Sequence, residues 1–210
     1  MTGSQIKEFT ENVLDGLTID DDFFYQLLNI AKTKLEEQRI WQYLKKLDSS
    51  NTASSTAISL PSDFAQDYRV LVGTSNEYLP VAFEEQHIYQ NSSGRYFIDW
   101  ANLTLKLLGS NIPSQTLYLY YKKFTPDIES DTSPVFPERF HPLLGYYVAA
   151  YYQSGVDSDD VFARMAPENR LAAIELERAM KMWDSSIAMR SQDNTIGVAN
   201  SNAGIPLEMM

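Results

Sequence analysis

Twice along this chain the spacing of apolar residues changes period, and no other feature restricts the fold as much. From residue 4 to about 47 the apolar positions recur as on one face of a helix. From 58 to 123 they alternate, and from 138 the helical spacing returns. A strand-rich segment between two helical blocks predicts an α+β protein that is mainly α. The expected architecture is a helical bundle with an inserted small antiparallel β-sheet and a flexible C-terminal arm. The parts fall at 1–48 and 135–190 for the bundle helices, 58–123 for the β-rich insertion and 191–210 for the arm.

In the first block Ile6, Phe9, Val13, Leu14 and Leu17 have helical spacing. Asp20, Asp21 and Asp22 supply an N-cap and first-turn carboxylates for a second helix. That helix is expected to reach about Leu47, with Phe24, Leu27, Leu28, Ala31 and Leu35 on one stripe. Ile40, Leu44 and Leu47 fall on the other side. Either the helix breaks near residues 36–38, or its halves face different neighbours. The polar stretch 49–56 (SSNTASST) marks a boundary.

In the insertion, residues 67–72 read as a strand, and three ladders follow: Tyr96, Ile98 and Trp100; Leu103, Leu105 and Leu107; Leu117, Leu119 and Tyr121. Turns are expected at 100–102 and 109–114, and a short helix over 83–90. Beyond the loop 126–137, Phe140, Leu143, Leu144, Tyr147 and Tyr151 share a face, which Val148 and Tyr152 widen. Gly155 stops this helix and residues 157–160 cap the next. Pro167 suits the first turn of a helix running to about Arg190. Its buried stripe is expected to be Ala172, Leu176, Ala179, Met180, Trp183 and Ile187. Leu171, Met182 and Met189 lie off that stripe, at positions suited to a partner. In the arm, Ile196, Val198, Ile205 and Leu207 are spaced singly among small polar residues, a pattern that orders against a neighbouring surface.

Chemistry finds little to work with. The two histidines, His87 and His141, are far apart, and no phosphate loop, zinc motif, calcium loop or nucleophile elbow is present. No catalytic, cofactor or metal site is assigned, and no cofactor is expected. With no cysteine there is no disulfide or thiol chemistry. A formal charge of −11 opposes phosphate, so ion-paired nucleic-acid binding is not expected; Arg39, Lys45, Lys46, Lys122 and Lys123 are the only small basic clusters. The start of the chain does not read as a signal peptide. The uncharged stretch 141–156 is too short to span a bilayer, so no membrane partner is expected.

Leu60-Pro61-Ser62-Asp63-Phe64, the strand through Tyr68 to Val72, the pair Tyr96-Phe97-Ile98 and Leu103-Thr104-Leu105, and Leu117-Tyr118-Leu119-Tyr120-Tyr121 together resemble head-to-tail adaptor proteins of tailed bacteriophages. The helix opening His141-Pro142-Leu143-Leu144 and the long terminal helix are similar too. The resemblance implies a structural virion protein of the neck, assembled in the host cytoplasm. It implies a ring of about twelve copies beneath the portal protein ring. That ring joins a tail or nozzle protein, and DNA passes through its lumen without specific binding. It also implies that a C-terminal extension, here Ile196 through Leu207, reaches the portal or another copy. It carries no catalytic residues. Three other readings stay open: another neck, nozzle or terminator protein; a cell-wall hydrolase using Glu84, Glu85, Asp99 or Asp127; and a ligand module built on the aromatic ladder.

Overall fold

A computed structural model describes residues 1–156 and 161–200, with side chains of the last helix described up to 188. The chain divides into two compact units, one of Met1–Tyr43 with Asp127–Met210 and one of Leu44–Pro126.

The first unit is helical. Its helices are α1 (Gly3–Val13), α2 (Asp21–Glu37), α4 (His141–Ser154) and α5 (Pro167–Asn200). Thr2 and Gln5 form a reciprocal cap on α1, and the Asp20 side chain accepts the Phe23 N–H at the start of α2. The expected α2 stripe is buried from Phe24 through Leu35. The helix then breaks at Glu37, the first of the two alternatives, and does not continue to Leu47. Trp41 is wholly buried, and its indole N–H donates to the Leu35 carbonyl at 2.8 Å. That bond satisfies a helix-end carbonyl while the chain turns away.

Helix α4 is central, with apolar residues buried around most of its circumference. Gly145 is where α1 comes closest: a Cβ there would lie 2.5 Å from Phe9 Cδ1. Gly155, at φ +83°, caps the helix through its N–H to the Tyr151 carbonyl. The cap expected at 157–160 lies outside the described residues. On α5 the buried residues are Ala173, Met180 and Asp184, so the face is turned from the expected one; Ala179 is exposed.

The second unit contains strands β1 (Lys45–Asp48), β2 (Ile58–Ser59), β3 (Phe64–Val72), β4 (Asn76–Pro80), β5 (Arg95–Asp99), β6 (Thr104–Leu108) and β7 (Leu117–Lys123), with the short helix α3 (Gln86–Tyr89). They form one sheet in the order β1-β7-β3-β4-β5-β6-β2. Every pairing is antiparallel except β4 with β5. This corrects the expected architecture of a helical bundle with a small inserted antiparallel sheet. The sheet is a curled, mixed, seven-stranded one, large enough to have its own core of Val70, Val72, Tyr96, Leu105, Leu119 and Tyr121. Two contributions went uncounted. Lys45–Asp48 pairs with β7 instead of ending a helix, and Asn76–Pro80 bridges β3 to β5. The stretch 49–56 joins the same unit, with Ala53 buried and its N–H bonded to the Gln115 carbonyl. Residues 191–200, assigned to the arm from sequence, belong to α5, and 201–210 lie outside the described residues.

The Leu60 to Phe64 motif gains a physical role here. Asp63 accepts the Tyr121 hydroxyl at 2.7 Å and the Lys46 ammonium at 2.8 Å, tying β7 and β1 to the start of β3. Burial raises the Asp63 carboxyl, but these two hydrogen bonds outweigh it and hold the group below the usual carboxylate range. Phe64 is buried with its ring 5.5 Å from that of Tyr121.

Candidate assembly surface

Leu171 and Met182 are exposed on α5, 57% and 65%, and Ile174 joins them at 46%. At about 100° per residue the three fall within an arc of roughly 80°. Ala173, Met180 and Asp184 lie on the opposite side and are buried. The helix therefore has two apolar faces, one buried in its own unit and one bare. Sequence reading did not single out Ile174, although it too lies off the expected stripe. Met189, Ile196 and Val198 are on α5 beyond the last described side chain, and Ile205 and Leu207 lie outside the described residues.

The inner face is held by polar contacts. Asp184 is wholly buried; its carboxylate lies 3.1 Å from the Arg39 guanidinium and accepts the Gln42 N–H at 2.5 Å. The Tyr147 hydroxyl accepts from the Gln38 amide at 3.2 Å and donates to Glu177 at 3.0 Å, linking α2, α4 and α5. Burial pushes the Tyr147 hydroxyl well above its ordinary range, so it stays protonated and can donate. Beside this face, Phe9, Tyr146, Pro142 and Leu176 line a groove of about 490 Å³ between α1, α4 and α5.

The four carboxylates weighed for hydrolysis have separate local settings. Glu84 and Glu85 are exposed on the turn before α3. Asp99 accepts the N–H groups of Ala101 and Asn102 at 3.0 and 3.2 Å, a turn-forming arrangement. Asp127 belongs to the helical unit and pairs with Lys32 at 3.1 Å. His87 is exposed on α3, with Nδ1 3.0 Å from the Glu84 carbonyl. His141 is buried in the helical unit, Nε2 donating to the Phe136 carbonyl at 2.7 Å. Among the described residues no three His, Cys, Asp or Glu side chains converge as a metal site. No described helix is long and apolar enough to cross a membrane.

Three residues of the basic clusters have local partners. Arg39 pairs with Asp184, Lys46 with Asp63, and the Lys45 ammonium stands 5.6 Å above the Tyr68 ring. These contacts hold the three side chains against the fold.

Bare apolar side chains on one helix face are the kind of surface through which a subunit meets a partner. The family model of the SU10 adaptor protein matches residues 1–196, so the chain belongs to that family of phage adaptor proteins, whose role is structural. Among curated proteins none matches the chain.

Proposed function

We propose that this chain is a non-catalytic subunit of a phage neck, forming a ring of about twelve copies between the portal and the tail, through whose lumen DNA passes. The observation that carries this reading is the bare face of α5. Leu171, Ile174 and Met182 expose apolar surface opposite a buried face of the same helix, and in a ring a neighbouring copy or the portal covers it. Met189, Ile196, Val198, Ile205 and Leu207 are further partner-binding residues in this reading. The charge of −11 keeps free subunits apart in solution and lets DNA slide without adhering to an assembled lumen. Assembly takes place in the host cytoplasm and the product is a virion component.

Native mass spectrometry of the protein mixed with the portal ring of the same phage tests this. Addition of about one copy per portal subunit supports the reading. A portal ring that gains no mass overturns it.

A further inference from the structure

The sheet unit carries a recess of about 310 Å³ lined by aromatic rings and two carboxylates. Tyr96 and Phe97 of β5 are among its buried lining residues, and Phe83 and Trp100, also in the lining, are 47% and 56% exposed. Asp67 and Glu84 complete the polar lining, and no lysine or arginine contributes to it. Lys106 lines the neighbouring hollow, which shares Phe83, Glu84 and Phe97.

The walls are held in position. Asp67 stands at a register shift between β3 and β7, the kind of bulge that re-aims a side chain. Its carboxylate accepts the Tyr96 hydroxyl. Burial, reinforced by that bond, pushes the Tyr96 hydroxyl far above its ordinary range, so the phenol keeps its proton. Trp100 sits in the β5–β6 turn. Asp99 fixes that turn by accepting both backbone N–H groups and the Asn102 amide, the last at 2.8 Å. The Trp100 ring lies 5.7 Å from Phe64, and Phe83 meets Phe97 edge-on at 5.7 Å. An exposed tryptophan on a fixed turn is ready to bind without an ordering cost.

Ring faces and carboxylates attract the same kind of ligand, a cation. A guanidinium suits the site better than an ammonium because it stacks on rings while its N–H groups reach a carboxylate. A chain at −11 draws a basic partner. We propose that this recess receives an arginine side chain from a different protein with a basic surface. The adaptor reading supplies only the setting, a virion neighbour; the recess itself requires only that basic surface.

The test titrates the whole chain with N-acetyl-arginine methylamide and with its citrulline counterpart, which is neutral and nearly the same shape. The Trp100 indole N–H is followed by NMR. The arginine probe is expected to shift it saturably, and the citrulline probe to bind at least about tenfold more weakly. Glu84→Gln, at an exposed position, is expected to weaken arginine binding several-fold with the Trp41 and Trp183 signals unmoved. Equal binding of the two probes, or no saturable shift at Trp100, overturns the proposal. A second variant, Trp100→Ala, is examined by sedimentation. If the free protein self-associates and this change abolishes the association, the occupant is a second copy and the proposal fails. Loss of portal binding alone leaves the titration unaffected, so failure of the adaptor reading is distinguishable.

Discussion

The Arg39 guanidinium lies 3.1 Å from the carboxylate of Asp184, a residue with no solvent exposure in the middle of α5. This pair fixes which face of α5 turns inward, and so which face is left bare. Arg39→Ala strands a buried carboxylate, and Asp184→Asn removes the charge but keeps an acceptor for the Gln42 N–H. Arg39 is 37% exposed, so solvent screens the pair, and each change is expected to cost about 1–3 kcal/mol. The double variant should cost less than the sum. Urea unfolding of the four proteins checks this; strictly additive costs would show that the pair is not coupled.

Gly145→Ala tests the contact of α1 with α4. The new methyl would meet the Phe9 ring, which is itself held edge-on against Tyr146 at 5.1 Å. Overpacking of this kind costs about 1–3 kcal/mol, against a helix-propensity gain of up to about 1 kcal/mol. A lower melting temperature is expected, with partial recovery on adding Phe9→Leu.

His141 gives the stability a sign with pH. Burial lowers its basicity, assisted by the nearby N-terminal ammonium and opposed by the Phe136 carbonyl, the Met1 carbonyl and Glu138. The unfolded imidazole takes up a proton near 6.5, whereas the folded one does so only at lower pH. Between those values the unfolded state binds more protons, so this stability is full above 6.5 and falls as pH drops. Chemical unfolding at pH steps from about 7 to about 5 should show the decline. His141→Gln should flatten it, and an unchanged slope would rule the residue out.

Leu171→Glu with Met182→Glu is predicted to leave folding within about 0.5 kcal/mol of the parent, because both side chains are already exposed. Binding to the portal ring should fall by at least about tenfold, as two buried aliphatics supply about 1.5–3 kcal/mol each. Thermal melts and a portal-binding titration separate the two effects.

The helices were legible where apolar residues recur at helical spacing. Phe24 through Leu35 and Leu143 through Tyr151 obey a single period and are buried as expected. Strands β5 to β7 were legible from their alternating apolar residues, although β5 buries Tyr96, Phe97 and Ile98 in succession. β1 was not, because Lys45–Asp48 has little apolar patterning and owes its conformation to β7, more than seventy residues away. β4 contains Pro80 and buries only Tyr78, so its place between β3 and β5 is a matter of tertiary pairing. The phase error on α5 has its own cause: Asp184 is inside, and polar-out patterning assigns it to solvent. Of the partner surface, Leu171 and Met182 were read as off-stripe positions, while Ile174, equally off that stripe, was passed over. The aromatic recess was invisible because Asp67, Phe83 and Trp100 meet only once the sheet has formed.

The most direct measurement is an electron cryomicroscopy reconstruction of the protein bound to its portal ring, read at α5. The account predicts a ring of copies in which Leu171, Ile174 and Met182 are covered by a neighbouring copy or by the portal. A ring in which that face remains open to solvent, or a portal with no added density, would contradict it.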